Sequence, residues 1–128
     1  MTDSERILAD LNDEQRAAVT TASGPVAIIA GAGSGKTRVV SHRTAYAVAT
    51  GVVPENGVLL VTFTEKAAGE MAARVRGLGL GRVMARTFHS AALAQLRYFW
   101  PSRHDGAALP DVLGDKWRIV APLARNLP

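Results

Sequence analysis

The chain has 128 residues, 48% of them apolar and 20% charged; that is the length of one domain with enough apolar material for a core, which excludes wholesale disorder. It has no cysteine, which excludes a disulfide framework and a thiolate metal site. No apolar run approaches the roughly 20 residues needed to cross a bilayer, and Met1-Thr2-Asp3-Ser4-Glu5-Arg6 lacks the basic-then-apolar order of a signal peptide, so a cytoplasmic protein with no membrane partner is expected. The net charge of +4 is unevenly spread. Asp3, Glu5, Asp10, Asp13 and Glu14 face only Arg6 near the start, whereas Lys66, Arg74, Arg76, Arg82, Arg86, Arg97 and Arg103 face only Glu70. A basic stretch of that kind suits a polyanion or a solvated helix face, and charge does not decide between them.

Taken in chain order, Leu11-Asn12-Asp13-Glu14-Gln15-Arg16-Ala17-Ala18-Val19 opens a helix, with Asn12 as N-cap and acids in the first turn. Ser23-Gly24-Pro25 breaks it. Val26-Ala27-Ile28-Ile29-Ala30 is apolar without alternation, the pattern of a strand covered on both faces. A glycine-rich turn follows, then a helix over residues 36–50 ended by Gly51. Val58-Leu59-Leu60-Val61-Thr62-Phe63 is a second buried strand, and Thr64 caps a helix reaching Arg76. After Gly77, Gly79 and Gly81, residues 82–86 form a third strand and Thr87 caps a helix to about Phe99. Residues 101–114 are loop-like, and a weak helix near residues 116–125 should bend or stop at Pro122. No repeat or clear linker appears. Strands alternating with helices predict an α/β fold with a parallel sheet.

The turn after the first strand, Ala30-Gly31-Ala32-Gly33-Ser34-Gly35-Lys36-Thr37, nearly matches the phosphate-loop pattern of glycine, four residues, then Gly-Lys-Ser/Thr. A triphosphate needs several N–H donors converging on it, and Gly31, Gly33 and Gly35 let the backbone fold into such a nest. The helix beginning near Lys36 would aim its positive end at the phosphates. The Lys36 ammonium would meet the β and γ oxygens, and the Thr37 hydroxyl would ligate Mg²⁺. Ala30 replaces the first glycine, where a residue finishing a strand keeps ordinary β dihedrals. ATP with Mg²⁺ is the expected ligand, and the alternative is a ligand-free turn.

Three more segments carry a resemblance. Residues 11–19 resemble the Q motif of UvrD/Rep-type superfamily 1 DNA helicases; Val61-Thr62-Phe63-Thr64-Glu65-Lys66-Ala67-Ala68-Gly69-Glu70-Met71 resembles their motif Ia; and Ala85-Arg86-Thr87-Phe88-His89-Ser90 resembles the Thr-Phe-His segment of motif Ib. All occur in the family's order around the Walker A loop. The resemblance implies a P-loop NTPase (RecA-like) sheet with flanking helices, here incomplete. It also implies an ATP-dependent DNA helicase moving 3′ to 5′ on single-stranded DNA. Lys36 and Thr37 would then be catalytic, with Ala30, Gly31, Ala32, Gly33, Ser34, Gly35 and Arg38 also around ATP. Gln15 would read the adenine edge, although three residues after Asn12 it equally suits a capping box. Thr62, Phe63, Thr64, Lys66, Thr87 and His89 would contact DNA. Against this, Phe63 shares strand parity with Val61 and suits a core, Thr64 and Thr87 suit helix caps, and His89 suits a surface. Glu65 stands where many relatives carry asparagine, and an acid beside a DNA backbone is unhelpful.

Turnover would need an acidic pair after a further strand and an arginine to neutralise the transition state. No apolar run after Phe63 closes in Asp-Glu, and Asp111 and Asp115 fall in the loop-like stretch. Residues 1–128 therefore read as a partial ATP-binding domain without motifs II to VI, able to hold ATP and DNA without efficient hydrolysis. The competing readings are the helicase part of a RecB-like helicase–nuclease, a small phosphotransferase, and a non-catalytic ATP- or DNA-binding module. His42, His89 and His104 have no zinc-ligand spacing.

Overall fold

The computed structural model describes residues 3–125. The described residues form α1 (Asp3–Leu8), α2 (Asp13–Thr20), α3 (Lys36–Ala49), a short 3₁₀ turn (Glu55–Gly57), β1 (Leu59–Thr62), α4 (Glu65–Gly77), β2 (Met84–Thr87), α5 (Phe88–Arg103) and α6 (Trp117–Ala124). The chain divides into two units, one ending at Ala91 and one beginning at Ala92.

The first unit is α/β. β1 and β2 are parallel neighbours, with Leu59 opposite Met84 and Thr62 opposite Thr87. α4 supplies the crossover between them. Thr64 caps it by accepting from the Ala67 amide at 3.1 Å, Glu65 lies in its first turn, and Arg74 and Arg76 lie in its last, each sign suited to that end of the helix dipole. Its buried residues Ala68, Met71 and Val75 recur at helical spacing. Met71 and Val75 meet Leu60 of β1, Ala45 of α3 and Ile7 of α1 in the larger core cluster. A second cluster joins Leu11, Val19 of α2 and Val39 of α3.

Polar contacts fix the first two helices on α3 and on each other. The Ile7 carbonyl lies 2.7 Å from His42 Nδ1, Arg16 donates to the Leu8 carbonyl at 3.0 Å, and Arg43 Nε donates to the Thr21 carbonyl at 3.0 Å. α2 begins in a capping box: the Asn12 side chain accepts from the Gln15 amide, and the Gln15 side chain accepts from the Asn12 amide. Asn12→Ala should lower stability by about 1 kcal/mol, read as a thermal midpoint roughly 4 °C lower; an unchanged midpoint would show the cap to be idle.

Several expectations are corrected. Residues 26–30 form no strand: the segment has no ladder partner among the described residues, and Ile29 is 97% exposed. A non-alternating apolar run suits a strand with neighbours on both edges, and none flanks this one. β1 is covered on one face only, with Leu60 buried while Leu59 and Val61 are exposed.

In the second unit the helix continues past Phe99 and through Pro101 to Arg103. A proline so near a helix end removes one ladder bond, and its own carbonyl accepts from the Gly106 amide at 2.9 Å. α6 likewise continues past Pro122 to Ala124.

Candidate nucleotide and nucleic-acid site

Residues 30–37 lead from the extended segment directly into α3. Gly35 is the N-cap of α3 with φ +87° and Gly33 has φ +76°, left-handed values that glycine adopts without cost. The turn is shaped by its own backbone: the Ser34 hydroxyl donates to the Gly31 carbonyl at 2.7 Å, and the Val39 amide donates to the Gly35 carbonyl at 3.0 Å. Lys36 reaches back over the loop, its Nζ donating to the carbonyls of Ala30 and Gly31 at 2.8 and 2.6 Å. Among the described residues no loop carbonyl pairs with the amides of Ala32, Gly33 or Gly35. A Cβ added at Gly31 or Gly33 would meet nothing within 4 Å. The loop is therefore open at Gly31 and Gly33 and carries backbone amides and one ammonium, the groups a phosphate chain requires.

Gln15 does two things at once. Its Oε1 closes the capping box, and its Nε2 donates to the Ser34 carbonyl at 3.2 Å. The two readings of this residue are compatible, because the amide keeps one N–H and one lone pair for a ligand. A cavity of about 510 Å³ lies here, lined by Asn12, Gln15, Ile28, Ala30, Ser34 and Lys36 among others. A larger one of about 600 Å³, bordered by Arg6, Ala45, Arg76 and Leu80, contains no residue of the 30–37 turn. Thr37 is exposed at the second position of α3, and its hydroxyl suits Mg²⁺, which takes one or two protein oxygens and completes its shell with phosphates and water. Arg38, half-buried, pairs with the largely exposed Asp10 at 3.9 Å, a contact of little energetic weight.

The parallel register brings motif-like segments 62–66 and 87–89 to one edge, beyond the C-terminal ends of β1 and β2, where ligands of open α/β sheets collect. Phe63 is 89% exposed. Its parity with Val61 holds, but that face is the uncovered one, so the core reading is corrected. Its ring meets Phe88 at a centroid distance of 5.3 Å, tilted by 41°; Phe88 was not anticipated, and only the pairing register reveals it. Lys66 and His89 are exposed. The Thr62 hydroxyl donates to the Thr64 carbonyl at 3.0 Å, and Thr64 is occupied as the α4 cap. Thr87 departs from the expected DNA contact: it is 6% exposed, its hydroxyl accepts from the Ser90 amide at 3.1 Å and donates to Glu65 at 3.2 Å. In the first unit His42 bonds α1 and His89 lies at this edge; in the second, His104 stacks on Trp100 at 3.7 Å.

A family model for the UvrD/REP helicase N-terminal domain matches residues 11–117. The chain is 48% identical over 129 residues to the ATP-dependent DNA helicase UvrD2 of Mycobacterium tuberculosis (strain ATCC 25618 / H37Rv), covering 94% of this chain and 18% of that protein. It is 46% identical over 97 residues to the ATP-dependent DNA helicase PcrA of Bacillus subtilis (strain 168), covering 73% of this chain and 13% of the relative. It thus spans less than a fifth of the length of these relatives. No helix among the described residues is long and apolar enough to cross a membrane. With the match running from the α2 cap through both strands and into α6, the chain belongs to the UvrD/REP helicase N-terminal domain family.

Proposed function

We propose that this chain is the ATP-binding segment of a cytoplasmic, ATP-dependent DNA helicase that translocates 3′ to 5′ on single-stranded DNA. The carrying observation is the open loop ending on α3, where among the described residues no backbone carbonyl takes the amides of Ala32, Gly33 and Gly35, with the Lys36 ammonium above it. In this reading the loop amides of residues 31–36 and Lys36 hold the phosphates, and Thr37 supplies one oxygen to Mg²⁺. Gln15 addresses the adenine through the remaining donor and acceptor of its amide, and Arg38 lies just past the loop in the first turn of α3. Phe63 offers a stacking face and Lys66 and His89 offer cationic or donor groups to the DNA strand. Hydrolysis needs an acidic pair and an arginine that these residues do not supply, so the chain by itself should bind without efficient turnover.

Calorimetric titration with MgATP, MgGTP and magnesium tripolyphosphate tests this reading. MgATP should bind most tightly. Gln15→Ala should weaken ATP about tenfold, the worth of one or two hydrogen bonds, and leave tripolyphosphate unchanged. Absence of saturable binding by both ATP and tripolyphosphate would overturn the reading.

A further inference from the structure

We propose that Glu65 is a positioning residue of the DNA-facing edge: it locks the start of α5 to the start of α4 and, through its charge, tempers phosphate binding there. The inference rests on the reading of this edge as a DNA surface. Thr87 is almost wholly buried, and a buried hydroxyl must have partners. Its acceptor is Glu65, the first residue of α4, and its donor is the Ser90 amide in the first turn of α5. One carboxylate–hydroxyl–amide chain therefore connects the turn after β1 with the turn after β2. It lies within two residues of Phe63 on one side and next to Phe88 on the other, so the same chain sets how the two aromatic rings meet.

Two consequences follow from the chemistry. The Thr87 hydroxyl is spent on the protein and is not a phosphate ligand. The Glu65 carboxylate is an exposed anion between Phe63 and Lys66, at the positive ends of two helices, where it competes with a nucleic-acid phosphate for the same field. Charge and geometry thus act in opposite directions, and the amide of glutamine separates them, since it keeps the acceptor and loses the charge.

Fluorescence anisotropy of the full chain with a labelled oligothymidylate, across a salt series, tests this. Glu65→Gln should bind about three- to tenfold more tightly than wild type, with a salt slope steeper by up to about 0.7. Glu65→Ala, which loses charge and acceptor together, should bind at least about threefold more weakly than Glu65→Gln. In a Thr87→Val background, where the hydroxyl is gone, that difference between Gln and Ala should vanish. Equal binding by Glu65→Gln and Glu65→Ala, or no gain in Glu65→Gln, overturns the proposal, and both comparisons stand even if Thr87→Val fails to fold. Lys66→Ala and His89→Ala, measured alongside, separate the two levels. If both leave affinity at the wild-type value, the DNA surface itself is rejected and Glu65 with it. If they weaken binding while the Glu65 comparison fails, only the role of Glu65 is rejected.

Discussion

Lys36→Ala should abolish measurable MgATP binding under conditions where the wild-type chain saturates. At 4 Å and an effective dielectric of 20, an ammonium and one phosphate charge attract by about 4 kcal/mol. Solvent at this exposed loop reduces that figure, so the expected loss in affinity is roughly 30- to 300-fold. The fold should hold, because Lys36 is exposed and its ammonium bonds the carbonyls of Ala30 and Gly31 in the same turn; the thermal midpoint checks this. Lys36→Arg is the informative companion. Its planar fork has different reach and hydrogen-bond geometry, so retention of charge without retention of affinity would show that placement matters beyond sign.

Gly35→Val should be nearly as severe for a different reason. Gly35 has φ +87°, and a Cβ there would lie 3.0 Å from the Gln15 amide nitrogen. A β-branched residue in the left-handed region costs about 1–2 kcal/mol from sterics alone. The added methyls also displace Gln15 from the Ser34 carbonyl, so the change strikes the glycine-rich loop and the residue proposed to address adenine together. Nucleotide affinity should fall more than tenfold, with a drop in thermal midpoint that Lys36→Ala does not show. Gly31→Ala makes the contrast: Gly31 has no positive φ and its Cβ would meet open space, so its effect should be much smaller. Similar losses for Gly31→Ala and Gly35→Val would contradict the role assigned to backbone shape.

Much of this was legible in the chain because the decisive features are local. The Asn12–Gln15 capping box depends on four consecutive residues, and the loop and the onset of α3 at Lys36 follow from glycine spacing and a helix period. What was not legible depends on neighbours distant in sequence. Residues 26–30 have the composition of a central strand, yet a strand exists only with a partner, and composition cannot supply one. Phe63 shows the same limit: parity correctly places it with Leu59 and Val61, but which face is covered depends on where α4 packs. The Glu65–Thr87 bond bridges 22 positions and becomes visible only with the parallel register. α1 is six residues long, too short for a periodic signal, and is held by Ile7 burial and the bonds from His42 and Arg16.

The most direct measurement is a nitrogen–proton correlation spectrum of the labelled chain titrated with MgATP. Perturbations should concentrate on the backbone amides of residues 31–37 and on the Gln15 side-chain amide, saturate together, and disappear in Lys36→Ala. Saturable shifts centred on the cavity bordered by Arg6, Arg76 and Leu80, with the loop amides unmoved, would contradict the nucleotide site and the motor reading built on it.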